Sequence, residues 1–511
     1  MQKRWAKAKQ SRSQLVMFSP SLDAMVPQGH AVRQLDEVLL SLDWSEWEHR
    51  YDGHRGQPAI HPRLLAGAIL YGIVLGFRSS RKLEDATRNR IDFMWYLEGM
   101  TIDHSTFAQF RQKYNKELKS IFRQINKAAL RLSMSKLTEL AADGTRLRAS
   151  SSKDGMRTAE TLQRYLDEIS CKFSKALEKM TSEDIANAPE HGSQEELKRE
   201  LATLEHKRLQ YSKALEIAKQ RDEIRIKKQG KSTKAVRVPV SDPDSHLLPN
   251  KEGGYAPNYT PTAVVDRESR LIIADDVVTG NAEADCIMAA VEEVKTEYDQ
   301  TPERMSFDGN LASGTNLSDL ASKDISAYST VGVAPSEVVL RSDLSVPVAE
   351  KYLKKLPCRG KSKQLDRTAF IFDGTSYWCP MGKCLSREKK RNKVLRGGVI
   401  RETVYRCKAC IGCSLAKRCL SKQAKYRTIT RDENEKYREQ LAIRMKTEEA
   451  QEIYKRRSPL AETIFGYVKG ALNIRHFLTR GLANVRTEWR WICTAHNLRV
   501  LFSIMKGKAA V

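Results

Sequence analysis

Two short apolar stretches each run directly into aspartate followed by glycine, and this pattern constrains the fold more than any other feature. Leu137-Thr138-Glu139-Leu140-Ala141-Ala142 leads into Asp143-Gly144-Thr145, and Arg304-Met305-Ser306-Phe307 leads into Asp308-Gly309. Each reads as a buried strand delivering a carboxylate at its end. A hairpin signal precedes the second: Tyr255–Asp266, a turn at Arg267-Glu268-Ser269, then residues 271–279. Helical spacing follows at 282–297 and 316–322, with another strand at 325–331. Strands alternating with helices predict an α/β core.

That core is interrupted. Leu162, Leu166, Ile169, Phe173, Leu177 and Met180 recur by threes and fours, and Leu197, Leu201, Leu204, Tyr211, Leu215 and Ala218 follow beyond Pro189 and Gly192. Two such stripes predict an antiparallel helical hairpin inserted over 157–230. Ser193-Gln194-Glu195-Glu196 reads as a capping box for its second helix. Residues 1–132 read as an all-α module. His61-Pro62-Arg63 opens one helix with proline in the first turn, and Ser105 can cap another that carries Phe107, Phe110 and Tyr114. A DNA-binding role and a basic bundle that merely packs on its neighbour both suit such helices. The expected order is then the first core strand within 133–156, the remaining core at 250–340, a basic cysteine-rich insertion at 341–445, and a helical C-terminal part of the core at 446–511.

Charge narrows the partner. Across 511 residues, 88 Lys and Arg face 63 Asp and Glu, a net charge of +25 with pI near 9.6. A chain this basic usually meets a polyanion, with nucleic acid the default. The excess is spread along the chain, which favours a folded enzyme or binder over a basic tail. No run reaches the roughly 18 apolar residues of a membrane span. The N-terminus is basic but carries no apolar stretch of a signal peptide. The expectation is a cytoplasmic protein with no membrane partner.

Two aspartates at strand ends plus a glutamate on a later helix suit phosphodiester chemistry. Carboxylates can bridge two Mg²⁺ ions roughly 3.5–4 Å apart, one activating the attacking oxygen and one steadying the leaving oxygen. Asp143, Asp308 and Glu462 are the candidates. Ser458 can cap the last helix and Pro459 can take its first position, which puts Glu462 in the opening turns and Lys469 on the same face two turns later. The plainer reading makes the two Asp-Gly pairs turns and the Glu462–Lys469 face solvated. Asp266, Asp275 and Asp276 are competing acids, for which turn and edge-strand roles suffice.

Here the sequence resembles a known family. Tyr454-x2-Arg457-x4-Glu462-x6-Lys469 looks like the Y-R-E-K signature of bacterial insertion-sequence DDE transposases, and Glu462-x2-Phe465-Gly466-x2-Lys469 is similar to its core. Arg475-His476-Phe477, Arg480-Gly481-Leu482 and His496-Asn497-Leu498 resemble the usual continuation. Asp143-Gly144-Thr145 and Phe307-Asp308-Gly309 resemble the first and second aspartate motifs. His61-Pro62-Arg63, Ser79-Ser80-Arg81 and Asp103-His104-Ser105-Thr106-Phe107 resemble the helical module found in many of these enzymes. The motifs keep the family's order along nearly the whole chain. The resemblance implies an RNase H-like core, divalent metal (Mg²⁺, with Mn²⁺ possible), and cleavage and joining of double-stranded DNA at terminal inverted repeats; the need to bring two ends together makes a homodimer the expectation. It carries over Asp143, Asp308 and Glu462 as the metal-binding triad, and Tyr454, Arg457 and Lys469 as DNA contacts. Two departures stand out. Arg457 lies one residue further from Glu462 than in the commonest signature, and Asn310 follows Gly309 where many relatives differ. The alternatives are a silent DNA-binding descendant of a transposase and a plain RNase H-like nuclease.

Six of ten cysteines cluster: Cys379, Cys384, Cys407, Cys410, Cys413 and Cys419. Close C-x2-C spacing in a reducing compartment reads as zinc before disulfides. A structural tetrahedral site would use Cys407 and Cys410 with two of the others. The basic run Lys389-Lys390-Arg391-Asn392-Lys393 beside it could then meet DNA phosphates.

Overall fold

The structure is a computed structural model. It describes residues 21–51, 58–133, 135–185, 191–229, 235–250, 253–280, 283–330, 336–360, 364–395, 398–421 and 423–507. The chain divides into two compact units. One comprises the chain up to Leu132 with Tyr467–Thr479 and the segment from Ala483, and the other comprises Ser133–Gly466 with Arg480–Leu482.

The first unit is helical: α1 (Ala31–Leu40), α2 (Pro62–Val74), α3 (Ser80–Asn89), α4 (His104–Lys113), α5 (Asn115–Ser133) and the C-terminal helix Leu482–Met505. α2 is buried on nearly every side from Pro62 to Ile73, as its unbroken apolar sequence requires. A methyl group at Gly67 would collide with Tyr96 and Leu39, so glycine there lets neighbouring helices approach. His61 caps this helix and Pro62 occupies its first turn, matching expectation. At α4 the cap is Asp103, not Ser105: its carboxylate accepts the Ser105 N–H at 2.6 Å. The acid sits one residue outside the helix, where the orphan N–H groups point.

Residues 446–511, grouped together in the sequence reading, are split between the units. The C-terminal helix buries Trp489, Trp491 and Ile492 in the first unit. There Trp491 meets Trp47 with ring centroids 6.5 Å apart, and Trp47 stacks on Phe110 at 5.0 Å. Asn497 Nδ2 donates to Asn126 Oδ1 at 2.6 Å, satisfying two buried amides. Apolar burial and paired polar groups thus hold this helix to the N-terminal ones.

The second unit is built on a mixed sheet. Its main strands are β1 (Glu139–Gly144), β2 (Tyr255–Asp266), β3 (Ile272–Val278), β4 (Arg304–Phe307) and β5 (Ser326–Tyr328). Their spatial order is β3-β2-β1-β4-β5, antiparallel among the first three and parallel from β1 onward. Each parallel crossover carries a helix, as parallel pairing demands: α6 (Cys286–Tyr298) against β3 and α7 (Gly314–Ser322) against β5. β5 is shorter than the expected 325–331, and residue 331 lies outside the described residues. Asp266 pins the β2–β3 turn by accepting from Ser135 Oγ at 2.7 Å, Ser269 N at 2.7 Å and Ser269 Oγ at 2.5 Å. Asp275 and Asp276 lie within β3.

Between β1 and β2 the chain leaves as a helical hairpin, Ala159–Ile185 and His191–Gln229, whose root buries Leu162, Ala214, Leu215 and Ala218 against Val238. Its second helix is already under way at His191, so Ser193 is not its cap, and the Ser193 and Gln194 side chains lie outside the described residues. The cysteine-rich segment forms a separate five-stranded sheet in which β6 (Cys384–Leu395) and β7 (Gly398–Arg406) make a long ribbon, flanked by β8 (Thr428–Asp432). The chain returns to the core sheet through α8 (Glu448–Lys455), against β4 and β5, and α9 (Arg457–Gly466), against β1 and β2. α9 begins at Arg457, one residue before the expected cap Ser458, so Pro459 falls in its first turn but not at its first position. No helix among the described residues is long and apolar enough to cross a membrane.

Candidate active site

Asp143 and Asp308 end neighbouring parallel strands at the same level. Ala142 of β1 pairs with Phe307 of β4, and one step further along each strand brings the two aspartates side by side. Neighbouring strand backbones run roughly 4.8 Å apart, so the carboxylates share one edge of the sheet. Each turns an oxygen onto the N–H of its following glycine, Asp143 to Gly144 at 2.8 Å and Asp308 to Gly309 at 2.7 Å. Asp308 also accepts from Asn310 Nδ2 at 3.3 Å. Gly309 is required by a close approach: a Cβ there would lie 2.7 Å from the Thr330 carbonyl oxygen.

Arg457, the first residue of α9, places Nη1 3.2 Å from Asp143 Oδ2. Its guanidinium carbon lies 5.3 Å from the centre of the Tyr454 ring, and Tyr454 Oη is 3.4 Å from Thr330 Oγ1. Tyr454, Arg457 and Asp143 thus form one contiguous group at the strand ends. Glu462 lies on α9, the helix that packs against β1 and β2, and its side chain lies outside the described residues. Lys469 sits in the turn Tyr467–Ala471, which belongs to the first unit. Asp275 shares a row of the sheet with Asp143, through the pairs Asp143–Ala263 and Ala263–Asp275. It is two strands away, or roughly 10 Å, and 8% exposed.

Five of the six clustered cysteines, Cys379, Cys407, Cys410, Cys413 and Cys419, line one cavity. Cys384 departs from the expectation. It begins β6 with an exposed side chain and does not line the cavity, because strand alternation turns it away while Leu385 is buried. A hydrogen bond with Cys407 pulls the Cys379 thiol down to about 6 against the effect of burial, and burial pushes Cys419 up to about 11. Among the described residues, the group of three or more potential ligands whose atoms lie within 4.8 Å of one another is Glu84, Asp103 and His104, not a set of thiols.

The sequence reading missed one polar anchor. Arg480–Leu482 is held to the second unit by Asp242 and Asp244: Gly481 N donates to Asp242 Oδ1 and Leu482 N to Asp244 Oδ2, both at 3.0 Å. Tyr259 Oη also donates to Asp242 Oδ1, at 2.6 Å. The alternation Asp242-Pro243-Asp244 was the available signal.

Comparison with known proteins adds two findings. Residues 378–502 match the family described as a transposase DDE domain, and residues 20–113 match the family described as a transposase domain (DUF772). The first span contains Tyr454, Arg457, Glu462, Lys469 and the clustered cysteines, whereas Asp143 and Asp308 lie outside both. No curated protein matches the chain.

Proposed function

We propose that this chain, an insertion-sequence DDE transposase by its two matched segments, cuts and rejoins DNA at terminal inverted repeats through Asp143, Asp308 and Glu462. The observation that carries the assignment is the register of β1 and β4, which sets two carboxylates side by side at adjacent strand ends, next to the helix of Glu462. The strand order β3-β2-β1-β4-β5, antiparallel and then parallel, supports an RNase H-like core.

Oxygen-rich acids at rigid strand ends fit hard divalent cations such as Mg²⁺, with Mn²⁺ as a substitute. Bound there, the metal supplies Lewis-acid activation of the attacking oxygen and neutralises charge on the leaving one. The chain's own residues do the rest. Asp143 and Asp308 hold their geometry through the glycine N–H groups they accept, and Arg457 offsets charge at Asp143. Arg457, Tyr454 and Lys469 are assigned to the DNA end. In the first step, water attacks phosphorus and the 3′ oxygen leaves as a hydroxyl. In the second, that hydroxyl attacks a target phosphodiester, whose own 3′ oxygen leaves. No side-chain nucleophile is needed.

The partner is double-stranded DNA, met by the N-terminal helices and the basic ribbon β6–β7. Synapsis of two ends favours a homodimer, and a DNA substrate makes the cytoplasm the expected compartment. Zinc enters this reading only as a structural ion of the cysteine-rich segment, outside the reacting centre. The deciding experiment is Mg²⁺-dependent cleavage of a DNA fragment bearing the inverted repeats that flank the gene, with joined products sought in the same reaction. Cleavage without joining would reduce the chain to a nuclease, and binding without cleavage to a silent relative.

A further inference from the structure

We infer that the cysteine-rich module binds one zinc ion on Cys379, Cys407 and Cys410 with either Cys413 or Cys419 as the fourth ligand. This rests on the structural-zinc reading above and narrows it from a segment to a ligand set. The thiols reach one cavity from separate pieces of chain: the turn before β6, the turn after β7 and the short helix Ala416–Cys419. Cys379 shares a hydrogen bond with Cys407, and Cys407 with Cys410, while Cys419 interacts with both Cys410 and Cys379. Cys413 lines the same cavity and interacts with Cys419 as well, so it competes with Cys419 for the fourth place, whereas Cys384 and Cys358 are exposed.

Backbone donors already aim at these sulfurs. Lys383 N–H donates to Cys379 Sγ at 3.3 Å, Arg427 N–H to Cys410 Sγ at 3.4 Å, and Ala409 N–H to Cys407. N–H groups directed at sulfur favour thiolates and fix their orientation, as the outer shell of a metal site does. The turn that presents Cys379 is rigid as well. Gly382 has φ of +69°, and a Cβ there would run into the Ser345 carbonyl. Apolar packing alone would bury the thiols but would not direct three amide donors at them. Four sulfur donors from spaced turns suit tetrahedral Zn²⁺ with bonds of about 2.3 Å. Among the described residues no three thiols lie within 4.8 Å of one another, so binding would have to draw the sulfurs closer together.

The test is metal content of the purified full-length protein by plasma mass spectrometry, with cobalt substitution read by absorption. The expected result is about one zinc per chain and the visible bands of tetrahedral cobalt thiolate. Cys379→Ser, Cys407→Ser and Cys410→Ser each lose the metal, as does one of Cys413→Ser and Cys419→Ser, while Cys384→Ser keeps it. Where a variant fails to fold, thiol labelling of the native protein decides: zinc protects four cysteines, and a chelator exposes them. Metal-free native protein, iron in place of zinc, or loss of zinc from Cys384→Ser would overturn the inference. Because the readout is not cleavage, absent zinc with intact cleavage sinks this inference alone, and zinc without cleavage sinks only the proposed activity.

Discussion

Arg457 Nη1 lies 3.2 Å from Asp143 Oδ2, so a helix start and a strand end are joined by an ion pair with side chains only 13% and 27% exposed. Arg457 Nε is buried with no hydrogen-bond partner among the described residues. The guanidinium is thus committed to Asp143 and the Tyr454 ring. Arg457→Ala should remove this charge partner from a partly buried carboxylate and cost about 1–3 kcal/mol without divalent metal. Mg²⁺ should restore much of it, because a dication can neutralise the same carboxylate. Thermal melts across a Mg²⁺ titration check this: the variant should show a larger rise in Tm than the wild type. Equal rises would mean that Arg457 and the metal do not share Asp143.

The proposed triad makes a second expectation. Glu462→Gln, Asp143→Asn and Asp308→Asn each keep the shape of the side chain while removing its charge. Each should lower cleavage by roughly a hundredfold or more, about 3 kcal/mol of barrier, with binding to the same DNA changed little. Cleavage by Glu462→Gln near the wild-type rate would remove Glu462 from the site.

Much of this arrangement was legible because local chemistry and burial agree. Apolar runs ending in Asp-Gly marked Asp143 and Asp308, and three- and four-residue spacing marked the inserted hairpin. What escaped was tertiary. Nothing local in Arg457 says that it meets Asp143, and nothing in Gly309 says that Thr330 approaches it. Helix starts slipped by a residue or two at Ser105 and Ser458, where several residues could serve as caps. Residues 446–511 read as one helical part of the core, but Trp489 and Trp491 are buried in the first unit. Cys384 looked equivalent to its neighbours until strand alternation turned it outward.

Gly309 and Gly144 should respond differently to alanine. At Gly309 the new Cβ would meet a backbone carbonyl at 2.7 Å, whereas at Gly144 it would meet threonine methyls at 3.3 Å. Backbone moves less readily than a side-chain methyl, so Gly309→Ala should cost about 1–3 kcal/mol and Gly144→Ala less. Denaturant midpoints of the two variants give the order, and the reverse order would contradict the close packing of Thr330 on the second aspartate.

The basic ribbon carries its charge on two unequal faces. Arg391 and Lys393 both pair with Glu402, at 2.7 Å and 3.2 Å. Lys390 and Arg401 belong to the other face, by the pairs Lys390–Thr403 and Asn392–Arg401. A two-stranded ribbon fits the DNA major groove. Lys390→Ala and Arg401→Ala should each weaken duplex binding and reduce the salt slope by about 1, whereas Arg391→Ala should change the slope less. Fluorescence anisotropy on a duplex at several salt concentrations measures this. Equal slopes for all three variants would leave the ribbon's lysines the role of keeping an exposed edge strand from pairing.

Asp242 sets a pH dependence with a definite sign. It is fully buried, one oxygen accepting from Tyr259 Oη and Gly481 N, the other without a partner among the described residues. Burial raises its carboxyl above the ordinary 3.8, and the two hydrogen bonds only partly oppose it. The folded state therefore binds this proton more tightly than the unfolded state does. The stabilisation it provides is complete below the unfolded value and is lost as pH rises through the folded one. Asp242→Asn retains an acceptor for Tyr259 and Gly481 but cannot ionise. The stability of the variant relative to the wild type should therefore climb as pH increases from about 4 and level off above the folded titration. Urea midpoints taken pH by pH on both proteins test it. Curves that stay parallel would mean that Asp242 titrates alike in both states, and that the anchor of Arg480–Leu482 is held without electrostatic cost.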